Sequence, residues 1–119
     1  MKRIIITLFF IITTVSSVNA MSVEMFEQMK AEGGGQRSFL GIYFSGLIDG
    51  YSWSNAFLRN RGDKQLYCTP PNIIINQDNA IQLVSTYIDG ARKRGEDTTK
   101  VPVEVYLYFA MLESFPCPK

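Results

Sequence analysis

From position 39 onward, apolar side chains return at every fourth residue, as Phe39, Tyr43, Leu47 and Tyr51, with Phe44 and Ile48 beside them. That spacing keeps one face of a 3.6-residue helix apolar and predicts a buried central helix within RSFLGIYFSGLIDGYSWSNAFL. Upstream, SVEMFEQMKAE predicts a first helix, with Ser22 placed to cap it and Val23, Phe26 and Met29/Lys30 along one side. The run Gly33-Gly34-Gly35 then ends it in a flexible turn. Downstream, INQDNAIQLVSTYIDGARKR predicts a third helix, capped by Asn76 and striped by Ile81, Val84, Tyr87/Ile88 and Ala91. Asp78 suits its positive end, and Arg92, Lys93 and Arg94 gather at its negative end, where helix electrostatics alone accounts for them. Pro102 suits a first helical turn and opens a fourth helix, PVEVYLYFAMLESF, with Val105, Tyr108/Phe109 and Leu112 expected inward. β-branched and aromatic residues make a strand conceivable there, but length and flanking signals favour a helix ended by Phe115-Pro116-Cys117.

The predicted architecture is therefore all-α, a compact bundle of about four helices in one domain. Within the central helix, Gly46 and Gly50 each cost about 1 kcal/mol against alanine, so the expectation is that another helix packs close against them. RNRGDKQLYCTPP and GEDTTK are polar connections. The Arg61-Gly62-Asp63 tripeptide of the first is read as a charged, solvated turn and not as an adhesion motif.

The front of the chain changes the picture. Lys2 and Arg3 precede an apolar run from Ile4 to Ile12, a Thr/Ser-rich stretch, and Val18 and Ala20 at the small-residue positions of a signal-peptidase site. These three parts predict a cleavable signal peptide over residues 1–20, export to the periplasm, and a single helical domain over residues 21–119. The run is too short to cross a bilayer. The absence of a cysteine near the cleavage point excludes a lipoprotein. Without Lys2 and Arg3 the acids and bases nearly balance, which leaves no electrostatic footprint for nucleic acid or for an acidic membrane surface.

Export gives meaning to the two cysteines, Cys68 and Cys117. Outside the cytosol they read most simply as one disulfide, the alternative being two free buried thiols. A bridge between them would close a loop worth about 4 kcal/mol on the chain-entropy model. It would also pin a last helix whose own packing is thin.

The chain has no histidine. That removes the commonest general base and metal ligand, and two cysteines alone cannot build a structural zinc site. Asp49, Asp78 and Asp89 fall on predicted helices, but Asp49 reads as a rim or paired residue. Gly33–Gly35 has neither the preceding strand nor the Lys-Ser/Thr of a phosphate loop. No enzyme, cofactor or metal is expected.

The second half carries an ordered set of features. YFSGLIDG supplies Tyr43, Gly46 and Asp49; LYCTPP supplies Cys68 and Pro70; the third helix supplies Val84 and Tyr87; and the end supplies Phe115, Pro116 and Cys117. In this order they resemble the Rap/Tai-type immunity proteins that accompany peptidoglycan amidases of type VI secretion. The resemblance covers residues 38–119 and reaches the first helix only by position. Many members carry a second cysteine pair joining the first two helices. Here Gln28/Met29 and Leu40 stand near those positions, so an apolar contact would replace it, and the last helix is richer in tyrosine and valine than the family's habit.

The resemblance implies a periplasmic all-helical protein, usually a homodimer, that blocks a cognate secreted cell-wall amidase. An inhibitor needs a rigid platform with a matched loop and no catalytic residue. The expected contact element is the loop after the third helix, with Arg92, Arg94, Glu96, Asp97 and Lys100. The second candidate is the turn holding Arg59, Arg61, Asp63 and Lys64. Two other readings fit the same composition: a small periplasmic helical chaperone or acid-stress protein, and an accessory binding module.

Overall fold

The computed structural model describes residues 20–119, so the expected leader lies outside the described residues except for Ala20. Among the described residues the chain is all-α: α1 is Val23–Glu32, α2 Gly34–Asn60, α3 Gln77–Lys93 and α4 Val103–Ser114, with no strand. The helix starts follow local chemistry. Ser22 accepts a hydrogen bond from the Met25 amide at 3.1 Å. Asn76 accepts from Asp78 and Asn79, while the Asn79 side chain accepts in return from the Asn76 amide, a reciprocal cap. Of the three glycines expected to form a turn, only Gly33 (φ 67°, ψ −157°) separates two helices, and Gly34 and Gly35 belong to α2.

Consecutive helices pack on one another, α1 on α2, α2 on α3 and α3 on α4. One core results, with Phe26, Leu40, Phe44, Val84, Ile88, Val103, Leu107 and Met111 fully buried at its centre. Phe26 meets Phe44 with ring centroids 5.6 Å apart, which fixes α1 against α2. Each such side chain contributes roughly 1.5–3 kcal/mol by leaving water. The stripe of α3 is buried as expected, through Ile81, Val84, Ile88 and Ala91.

Two phases differ from the sequence reading. In α2 the buried face is Leu40, Phe44, Ile48 and Asn55, whereas Phe39 is 50% exposed. In α4 the buried residues are Val103, Tyr106, Leu107, Ala110 and Met111, whereas Phe109 faces water and Val105, Tyr108 and Leu112 are only half-buried. Both helices are apolar on more than one side, so periodicity alone leaves their rotation undetermined. The expected close packing at Gly46 and Gly50 is also corrected. A Cβ at either position would meet nothing within 4 Å, because none of the described helices crosses there. The glycine at a close crossing is Gly41, where a Cβ would come within 2.9 Å of the Gln77 side chain.

The connection from α2 to α3 returns to the end of α4 through a disulfide between Cys68 and Cys117, 49 residues apart in sequence. Beside it the Cys68 amide donates to the Phe115 carbonyl at 2.8 Å. Replacing both cysteines by serine is expected to lower the unfolding free energy by about 4 kcal/mol in urea titrations. A loss under about 1 kcal/mol would show that the packing of α4 suffices without the bridge.

Candidate partner-binding site

The five charged residues expected to contact a partner after α3 are all paired within the chain. Arg92 grips Glu27 of α1 with two parallel bonds, Nη1 to Oε1 at 2.6 Å and Nη2 to Oε2 at 3.0 Å, and its Nε reaches the buried Thr98 hydroxyl at 3.4 Å. The Arg92 fork holds the Glu27 carboxyl below the usual glutamate range. Arg94 pairs with Glu96 at 2.7 Å and lies over the Tyr87 ring. Asp97 accepts from the Thr99 amide and hydroxyl, which keep its carboxyl low, and Lys100 closes on it at 3.3 Å. Arg92 is thus a tie between α1 and α3. Of the five expected contact residues, Arg94 with Glu96 and Asp97 with Lys100 pair within the turn while Arg92 is held by Glu27, and a partner would have to displace those bonds.

The connection between α2 and α3 is arranged differently. Asn55, only 8% exposed, points from α2 into this chain segment. Its amide nitrogen donates to the Tyr67 carbonyl and its oxygen accepts from the Leu66 amide, both at 2.7 Å. Tyr67 is buried beneath, and the disulfide holds Cys68 from the other side. The segment is therefore irregular but immobilised at three successive residues, the condition under which a loop presents a surface at low entropic cost.

Beyond that anchorage, Pro70 accepts from the Ile73 amide at 3.0 Å, and the turn thrusts Ile73 and Ile74 outward, 41% and 84% exposed. They border a groove of about 490 Å³ between this segment and the second half of α2, whose polar rim includes Asp49, Ser52, Arg59 and Thr69. Of the second predicted set, Arg59 lines this groove. Arg61 pairs with Asp63 at 3.2 Å and covers the Phe57 ring, and Lys64 stays exposed.

No known family model, curated protein or solved structure matches the chain. The site is accordingly read from its geometry. An apolar tip, a polar groove and a rim of mixed charge suit a protein surface. Among the described residues, no group of three or more His, Cys, Asp or Glu side chains could hold a metal ion. Neither Asn55 nor the isoleucine pair was singled out from sequence, although Ile73-Ile74, one residue past Pro70-Pro71 and outside any helical stripe, is an apolar pair in a connection.

Two measurements check these assignments. Asn55→Ala leaves the Leu66 amide and Tyr67 carbonyl without partners and is expected to cost about 3 kcal/mol in chemical denaturation. The Arg92 tie gives a pH signature. The folded-state pKa of Glu27 is depressed, so its contribution is complete above the ordinary value of 4.5 and is lost as pH falls through the folded value. Glu27→Gln should therefore cost about 0.5–1 kcal/mol at pH 7 and much less at pH 3, measured as the narrowing gap between wild-type and variant melts.

Proposed function

We propose that this chain is a small exported binding protein of the immunity type, which inhibits a secreted peptidoglycan amidase by presenting the Ile73-Ile74 tip and its neighbouring groove. The observation that carries the reading is the exposed apolar tip just beyond the immobilised segment. Large apolar side chains at the end of a stapled segment, beside a groove rimmed by Asp49, Ser52, Arg59 and Thr69, match the pattern of an interface anchor with a polar rim. The amidase as target comes from the resemblance of the Cys68-x-Pro70 and Phe115-Pro116-Cys117 elements to the Rap/Tai type. The periplasm as its place of action comes from the leader. The loop of Arg92, Arg94, Glu96, Asp97 and Lys100, whose charges are already paired within the chain, takes second place as a contact element.

Titration against a panel of peptidoglycan amidases tests this directly. A cognate enzyme should bind with a nanomolar Kd and lose activity. Ile74→Asp should then weaken binding at least about 30-fold without lowering the melting temperature. If no amidase binds below micromolar concentration, the amidase target is wrong. If one binds and Ile74→Asp leaves its Kd unchanged, the Ile73-Ile74 surface is wrong.

A further inference from the structure

Ala20 is exposed and Met21 is buried, so the chain enters the core across the peptide bond at which the leader is expected to be cut. Met21 is tied to the first turn of α4 through both of its backbone groups. Its carbonyl accepts from the Val103 amide at 2.9 Å, and its nitrogen donates to Glu104 Oε1 at 3.1 Å, 83 residues away in sequence. The start of the first helix is thereby fixed to the start of the last.

These bonds leave Glu104 incompletely matched. Its second oxygen, Oε2, is buried with no hydrogen-bond partner. The first amides of α4 do not serve it. That of Val103 is spent on Met21, and those of Val105 and Tyr106 both go to the Pro102 carbonyl. Tyr51 reaches over from α2, but its hydroxyl donates to the Glu104 backbone carbonyl at 2.8 Å and not to the carboxylate. Among the described residues the ion pairs engage Glu27, Asp63, Glu96 and Asp97, and none engages Glu104. The positive end of α4 favours a negative charge in its first turn, yet supplies no hydrogen bond to Oε2. A carboxylate drawn out of water with one donor and no cation is costly.

We propose that Glu104 receives a free α-ammonium at Met21, so that removal of the leader completes an ion pair between the two ends of the domain. The proposal rests on cleavage after Ala20 and not on the amidase target. Hydrolysis of the Ala20–Met21 bond consumes one water. Its oxygen leaves with the leader in the Ala20 carboxylate, and both of its hydrogens end on the Met21 nitrogen. That nitrogen is then an ammonium, the form α-amino groups hold below about pH 8. It already lies within hydrogen-bond distance of Oε1, and it gains two further N–H donors and the missing positive charge. One carboxylate can then be satisfied at both oxygens by a charge-assisted pair. Processing and folding are coupled in this way. A chain still carrying its leader lacks the pair and opens more readily, which suits export in an unfolded state, whereas the cut chain closes more firmly.

Two forms of the domain released from a cleavable fusion test this, one beginning at Met21 and one keeping Val18-Asn19-Ala20 before it. The form beginning at Met21 should have a folding equilibrium constant at least about ten-fold larger in urea titrations at pH 7. Glu104→Gln keeps the shape without the charge and should abolish that difference. By NMR the α-amino group at Met21 should titrate above about 9, and Glu104→Gln should return it to its ordinary value near 8. Burial raises the Tyr51 hydroxyl above the ordinary tyrosine range, so Tyr51 stays neutral through that interval. The extended form, whose amine stands three residues away, should titrate near 8 as well, and supplies the comparison should the variant fail to fold. Equal stability of the two forms overturns the assignment. So does a difference that survives Glu104→Gln, or a Met21 amine that titrates near 8. Mass spectrometry of the exported protein reports the cut separately. A mature chain beginning at Met21 supports the coupling to processing, and one beginning elsewhere overturns it.

Discussion

The covalent bond between Cys68 and Cys117 is the constraint on which the arrangement rests. α4 has only 12 residues, yet it supplies Val103, Tyr106, Leu107, Ala110 and Met111 to the core. An isolated helix of that length is marginal in water, so it exists by virtue of what it packs on. The bond joins its C-terminal end to the α2–α3 connection, and the Cys68 amide on the Phe115 carbonyl seals the junction. The same two residues thereby fix the segment leading to Ile73 and Ile74. Core completion and surface presentation are consequences of one linkage.

The four helices and the caps at Ser22 and Asn76 were readable in the sequence because each has a local cause, and the disulfide because the chain has two cysteines. Ser22 and Asn76 bond the amides just after them, and Pro102 stands immediately before the first turn of α4. The stripe of α3 was readable too, since its polar face is clearly polar. Rotation of α2 and α4 was not, because a helix that is apolar nearly all round offers no phase. Phe39 and Leu40 are adjacent and equally hydrophobic, yet one is half exposed and the other fully buried. That choice is made by α1 and α3, through contacts distant in sequence.

The candidate site divides in the same way. Charges in the turn after α3 suggested a contact element, but whether charged side chains seek a partner or each other depends on geometry, and here Arg92 finds Glu27, 65 residues away in sequence. Asn55 looks like an ordinary polar residue on a helix. Only the fold shows that it completes the backbone bonding of a loop 11 and 12 residues further on. Glycines at 46 and 50 were legible as an oddity. What was not legible was that the space beside them lies outside the molecule.

Gly33 bears on how this chain can vary over time. It joins α1 to α2 alone, at φ 67° and ψ −157°, torsions that any side chain would strain against. A Cβ there would meet nothing within 4 Å, so the restriction is conformational and not steric. The position is therefore closed to other residues for as long as Phe26 must arrive opposite Phe44, while the solvent-facing positions a few residues away remain free to diverge.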